Sequence, residues 1–267
     1  MNRALLVGIN KYPGQPLNGC VNDVQDMANF LVSHCGFAMD DIRLLVDERA
    51  TKDAIVERLH WLITDVKAGD RILFHYSGHG AQKPTRNPEG EVDGLDEVIC
   101  PVDFDWSDAH LIRDKEFNEL FSVLPQGVDF VWISDSCHSG DLWRDMSEPT
   151  VSIKTIIPPA DINWRLHTAF QKEIKLRSLK MMASDLNLAL ISGCKSNQTS
   201  ADACFDNKYN GALTYFLLQE LQSANGLSEP LSTLVTNVSV ALKKHRYSQV
   251  PQLEGSPAVK SKSFLAK

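Results

Sequence analysis

The feature that most constrains this chain is a regular exchange between short apolar runs and helical patterns. Ala4 to Ile9 is continuously apolar and gives way to the turn residues Asn10, Pro13 and Gly14, as a strand buried on both faces does. From about Cys20, the residues Val21, Val24, Met27, Ala28, Leu31 and Val32 recur at three- and four-residue spacing, and Gly36 stands where a helix-ending glycine belongs. Ile42 to Val46 reads as a second strand. Thr51 caps a helix that gathers Ile55, Leu59, Leu62, Ile63 and Val66 on one face, and Arg71 to Tyr76 is a third strand. Asp114 is the expected N-cap of a helix carrying Phe117, Leu120, Phe121 and Leu124. Phe130 to Ile133 and Leu188 to Ser192 are two further strands, and helices are expected over 211–221 and 231–242. Such alternation predicts an α/β fold with a mainly parallel central sheet and helices on both faces, whose sites gather at the carboxyl ends of the strands.

With 267 residues, 43% of them hydrophobic, the chain can bury a substantial core, and it is expected to form a single domain over 1–267. The first residues lack the apolar stretch and cleavage site of a signal peptide, so the mature chain is expected to begin at Met1. No apolar run approaches the roughly 18 residues a membrane-spanning helix needs. The six cysteines show no CxxC spacing, which argues against a zinc ribbon or a disulfide scaffold and fits a reducing, cytoplasmic setting. A net charge of −7 argues against a phosphate backbone as partner and is compatible with a cationic substrate. Nothing calls for a nucleic acid or membrane partner.

Two polar loops interrupt the pattern directly after strands. The third strand breaks into Ser77-Gly78-His79-Gly80, and the fourth into Ser134-Asp135-Ser136-Cys137-His138-Ser139-Gly140. A thiol at neutral pH is only a few per cent ionised and its leaving amine must be protonated, so a neighbouring imidazole supplies what Cys137 lacks. His79 is the expected acid/base partner. The backbone amides of Gly80 and Cys137 are the expected donors to an oxyanion. An ordinary buried thiol remains the better reading for Cys20, Cys35, Cys100, Cys194 and Cys204. His75 is expected to be a core residue or a support for its neighbours.

Tyr76 to Gly80 and Asp135 to Gly140 resemble the His and Cys motifs of type I metacaspases and bacterial orthocaspases, 58 residues separating His79 from Cys137. Ala4 to Asn10, Gly19 to Asp23, Asp93 to Glu97, Gly193 to Ala203 and Pro251 to Gly255 extend the resemblance over most of the chain. It implies a caspase-like fold, with a large-subunit-like part over 1–144, a linker or insert over 145–187 and a small-subunit-like part over 188–267. It further implies a cysteine endopeptidase, monomeric, with a Cys-His dyad needing no cofactor for its chemistry. Residues matching Asp23, Asp135 and Ser77 line a pocket for arginine or lysine in that family, and paired carboxylates suit such a cation on physical grounds. Local roles on a helix and in a turn are the alternative for Asp23 and Asp135.

The resemblance also makes calcium a candidate activator, held by Asp93, Asp96 and Asp114. Arg113, Lys115 and Arg144 stand at or beside the expected ligand positions and weaken that site. Lys175, Arg177 and Lys180 lie in a basic segment where an enzyme of this specificity could process itself, or they form a plain solvated face. A catalytically silent binding module, and the same dyad with another specificity, stay open as alternatives.

Overall fold

Strand and helix alternate as the apolar pattern predicts. The computed structural model describes residues 1–84, 95–138, 151–170, 188–195 and 198–265. β1 (Asn2–Gly8), α1 (Cys20–His34), β2 (Ile42–Val46), α2 (Lys52–Ile63) and β3 (Arg71–Ser77) come first, followed by the short strands β4 (Gly80–Pro84), β5 (Leu95–Ile99) and β6 (Ile112–Arg113). α3 (Asp114–Phe121) and β7 (Asp129–Asp135) precede β8 (Ser152–Ile153), α4 (Ala160–Phe170) and β9 (Ala189–Ser192). β10 (Ala201–Phe205), β11 (Lys208–Gly211), α5 (Ala212–Leu221), α6 (Leu231–Lys244), β12 (Gln252–Glu254) and α7 (Pro257–Lys260) complete the chain.

Six strands form the central sheet in the order β12-β9-β7-β3-β1-β2. All its pairs are parallel except β12 with β9. Alternation along each strand sends side chains to two cores. Ile72, Phe74, Phe130 and Trp132 pack with Ile55, Leu59 and Leu62 of α2 and with Phe117 and Phe121 of α3. Leu73, Val131 and Ile133 face the other way, against Val24 and Met27 of α1, Phe216 and Leu217 of α5 and Val238 of α6. The expected caspase-like architecture is therefore observed, and among the described residues no helix is long and apolar enough to cross a membrane.

Local signals behave as their chemistry dictates. Thr51 accepts a hydrogen bond from the Ala54 amide at 3.3 Å and caps α2, and Gly36, at φ +70°, ends α1. Asp114 is not a cap: it is the first residue of α3, with Arg113 before it in the cap position and the Arg113 amide bound by Glu116 Oε2 at 2.8 Å. Two small antiparallel sheets, β4-β5-β6 and β11-β10-β8, were not evident from apolar runs. Within the segment read as an insert, β8 and α4 are regular elements.

Candidate active site

The register of β3 with β7 sets Ser77 directly opposite Asp135. Both residues share the face of Leu73 and Val131, so they point toward α1 and α5 rather than toward solvent. Asp23, in the first turn of α1, lies on the same buried stripe as Cys20, Val24 and Met27 and meets them there. All three polar groups are fully buried. Ser77 Oγ donates to Asp23 Oδ2 at 2.6 Å, and Asn210 Nδ2 and the Gly211 amide donate to Asp23 Oδ1 at 3.0 and 2.9 Å. Asp135 accepts from Ser200 Oγ at 2.8 Å and from the amide and hydroxyl of Thr214 at 3.0 and 2.8 Å. Because the Thr214 proton goes to Asp135, His75 Nε2, 3.2 Å from Thr214 Oγ1, is the donor in that contact. Burial pushes the His75 imidazole down to about 3, so it supports the pocket as a neutral ring.

A lysine fills this pocket. Lys154, fully buried, places its Nζ 3.2 Å from Asp23 Oδ2, 3.1 Å from Asp135 Oδ1 and 2.9 Å from Ser77 Oγ. Gly211, the last residue of β11 and the cap position of α5, closes the pocket: a Cβ there would stand 2.1 Å from Lys154 Nζ and 2.2 Å from Asp135 Oδ2. Two carboxylates around one ammonium leave the cluster short of one positive charge, and the titration reflects it. Burial pushes the Asp23 carboxyl up to about 7, against the pull of Lys154 and with the Asp135 charge adding to the rise. Burial also pushes Asp135 upward, but Lys154, Ser200 and Thr214 together outweigh it and hold that group below its ordinary range. For Lys154, burial opposes the charge and the surrounding carboxylates more than restore it.

The loops beyond the two strands converge on the same residue. The amides of Gly80 and Cys137, expected as oxyanion donors, both donate to the Lys154 carbonyl at 3.1 Å. Glycine at 80 permits the approach, since a Cβ would come within 2.3 Å of the Cys137 carbonyl oxygen. His79 is held through its backbone: its amide donates to Tyr12 Oη at 3.1 Å, and Tyr76 Oη lies 2.6 Å from its carbonyl. Its Nε2 is 2.8 Å from the Gln15 carbonyl, which only accepts, so the ring carries its proton on Nε2 and leaves Nδ1 as the basic nitrogen. Nδ1 is buried and has no hydrogen-bond partner among the described residues. Burial lowers the His79 pKa to about 4, with the backbone of Gln15 and of Lys154 opposing the fall. Cys137 Sγ accepts from the Ser200 amide and stands 3.8 Å from Cys194 Sγ.

The structure thus brings together Asp23, Ser77, His79, Gly80, Asp135 and Cys137. Asp96 and Asp114 lie elsewhere, on β5 and at the start of α3. Asp96 is buried and pairs with Arg113 Nε at 2.9 Å and with Lys115 Nζ at 3.3 Å, so its charge is already met by two cations. Among the described residues no group of three or more His, Cys, Asp or Glu is placed to hold a metal. Asp93, Arg144, Lys175, Arg177 and Lys180 lie outside the described residues. Sequence reasoning missed Lys154, Ser200, Gly211 and Thr214. Ser200 lies within the resembling segment Gly193 to Ala203, which was the available signal for it.

A mainly parallel sheet with a cysteine loop and a histidine loop at the carboxyl ends of adjacent strands, beside an acidic pocket, defines the caspase-like cysteine peptidase class. Residues 2–145 match the model of the metacaspase, peptidase C14 domain. Metacaspase-1 of Meyerozyma guilliermondii is 32% identical over 95% of this chain and 69% of its own length, and metacaspase-1 of Debaryomyces hansenii 33% identical over 95% and 64%. The chain therefore spans about two thirds of these relatives. A crystal structure of a Geobacter sulfurreducens protein superimposes with a TM-score of 0.68 at 26% identity, covering 99% of this chain and 98% of that one. The chain belongs to the metacaspase family.

Proposed function

We propose that this chain is an endopeptidase that cleaves after lysine or arginine, with Cys137 as nucleophile and His79 as acid and base. The observation that carries the reading is Lys154, whose ammonium lies between Asp23, Asp135 and Ser77 while its carbonyl accepts from Gly80 and Cys137. A bound cationic side chain and a carbonyl at two amide donors are what such a site offers a substrate. An arginine fits the same requirement through charge-assisted bonds to both carboxylates, whereas an acidic side chain is repelled by several kcal/mol, on the order of 3 or more.

His79 Nδ1 takes the Cys137 proton as sulfur attacks the carbonyl carbon, and the Gly80 and Cys137 amides take up the oxyanion charge. The same imidazole then protonates the departing amine, and water releases the acyl-enzyme. The Gln15 carbonyl orients the ring, so no side-chain third member is required. The reaction occurs without calcium in any step. A reducing, cytoplasmic compartment suits a free nucleophilic thiol, and peptide segments with basic residues are the partners.

A fluorogenic peptide panel that varies only the residue before the scissile bond, run with and without calcium, tests the proposal. Lysine and arginine peptides are expected to turn over and Cys137→Ala to abolish turnover. Cleavage after aspartate or apolar residues instead, or full turnover in Cys137→Ala, contradicts it.

A further inference from the structure

Cys137 has a second thiol beside it that the chemistry above does not use. β7 and β9 are adjacent and parallel, Ser134 opposite Ser192, and each gives way to a loop at its carboxyl end. Cys137 stands two residues beyond Asp135, the last of β7, and Cys194 two residues beyond Ser192, the last of β9. The Gly193 amide still donates to the Ser134 carbonyl at 2.9 Å, so the two segments run side by side almost to Cys194. Adjacent strands lie about 4.8 Å apart, which brings equivalent positions past their ends within reach of one another. The two sulfurs are 3.8 Å apart. Strand spacing falls within the roughly 4.4–6.8 Å between Cα atoms that a disulfide accepts, and closing the sulfurs to about 2.0 Å asks for less than ~2 Å of side-chain movement.

The burial of Cys194 does not come from an apolar core. Cys20 and Cys100 pack in the core that holds α2 and α3, and Cys35 in the core that holds α1, α5 and α6. Among the described residues, Cys137 and Cys194 join neither cluster, so filling apolar space is not what this position asks of its side chain. Cys194 Sγ donates to the Gln198 carbonyl at 3.1 Å, which leaves its lone pairs to face Cys137. Cys137 Sγ is turned to the same side: its partners among the described residues are the Ser200 amide and carbonyl and Cys194. The contact with Cys137, and burial after it, push the Cys194 thiol well above its ordinary range, so Cys194 stays protonated while Cys137 supplies the reactive sulfur.

We propose that Cys194 is a resolving thiol: when a hydroperoxide oxidises Cys137, a Cys137–Cys194 disulfide forms, stops the peptidase reversibly and spares the nucleophile from irreversible oxidation. The inference rests on the Cys137 nucleophile proposed above. A site that admits a peptide carbonyl to this sulfur admits the smaller hydroperoxide. In the first step the Cys137 thiolate attacks one peroxide oxygen, the O–O bond breaks, and the other oxygen leaves as water or an alcohol with the proton that His79 held. Sulfur is oxidised to the sulfenic acid and the peroxide is reduced. In the second step the Cys194 sulfur attacks the Cys137 sulfur, the S–O bond breaks, and the Cys194 proton leaves with the hydroxide as water. Two thiol equivalents later return both cysteines to thiols and are themselves joined as a disulfide. Such a transient bond is the kind that a reducing compartment allows. Without Cys194, the sulfenic acid meets further hydroperoxide and passes to the sulfinic acid, which thiols do not reduce.

The test treats the purified full chain with hydrogen peroxide, reads cysteine pairing by mass spectrometry of the unreduced digest, and measures peptide turnover before treatment, after it, and after dithiothreitol. Wild type is expected to lose turnover, to show the Cys137 and Cys194 peptides joined with the loss of two hydrogens, and to regain turnover on reduction. Cys194→Ser keeps a donor for the Gln198 carbonyl and cleaves peptides like wild type before oxidation; Cys194→Ala is a second variant without the thiol. After peroxide both variants gain two oxygens on Cys137, and reduction restores at least ~10-fold less turnover than in wild type. Wild type whose Cys137 becomes the sulfinic acid, or joins another cysteine, overturns the inference and leaves the proposed function standing. Equal recovery in Cys194→Ser and Cys194→Ala has the same consequence. A Cys137–Cys194 link with undiminished turnover overturns the nucleophile proposed above and the protective role together.

Discussion

Two acidic clusters in this molecule differ in who supplies the cation. Asp96, on β5, is met by Arg113 and Lys115, which are fixed nearby at the start of α3 and cannot leave without unfolding it. Asp23 and Asp135 are met by Lys154, which directly follows a two-residue strand, and their other hydrogen-bond partners among the described residues are neutral donors. The first cluster is a structural ion-pair network. The second is a pocket with a surplus negative charge, which is why burial can lift Asp23 to about 7. The comparison teaches that carboxylates alone do not mark a site; what matters is whether the fold itself neutralises them.

Substitutions break this comparison in graded ways. Asp135→Asn removes the carboxylate most firmly held in its charged form, and loss of one partner of a buried, hydrogen-bonded charge pair costs about 2–5 kcal/mol. Turnover of lysine peptides, read as kcat/KM, is expected to fall by ~10²–10³ with little change for uncharged side chains at that position. Arg113→Ala leaves buried Asp96 with Lys115 as its one ion-pair partner among the described residues and is expected to lower stability by about 3 kcal/mol, seen in denaturant unfolding, without altering which residue is cleaved after. Gly211→Ala brings a Cβ onto Lys154 Nζ and Asp135, and overpacking of about 1–3 kcal/mol predicts a ~10–100-fold loss for lysine peptides.

The smallest effect is a pH dependence. With a cation bound, Asp23 titrates near 7, burial raising it against the pull of that cation. Ionised Asp23 favours the cationic substrate. Accordingly kcat/KM for lysine peptides is expected to rise as pH increases through 7 and to fall on acidification, by at most tenfold per unit. A profile in Asp23→Asn that keeps this limb would assign it to another group.

Much of this was legible before any coordinates. Continuous apolar runs announced the central strands, because strands buried on both faces cannot hide polar residues. The two loops carrying His79 and Cys137 followed from where those runs stop. Asp23 was reached through the family resemblance alone, since the apolar spacing of α1 left a solvent-facing role open to it. Lys154 carried no signal. Its role depends on the pairing of β8 with β10, a short contact between residues distant in sequence, in a segment without periodicity. For the same reason Thr214 and Gly211 were read only as the beginning of a helix. Their part in the pocket is decided by where α5 meets β7, which no local pattern encodes.

The central claim is that the Asp23, Asp135 and Ser77 pocket selects a cation for Cys137. Its most direct test compares kcat/KM for two peptides that differ only by lysine or norleucine before the scissile bond, in wild type and in Asp135→Asn. The account predicts a strong preference for lysine, ~10²-fold or more, that collapses in the variant. Equal cleavage of the two peptides by wild type, or a preference that survives Asp135→Asn undiminished, would contradict it.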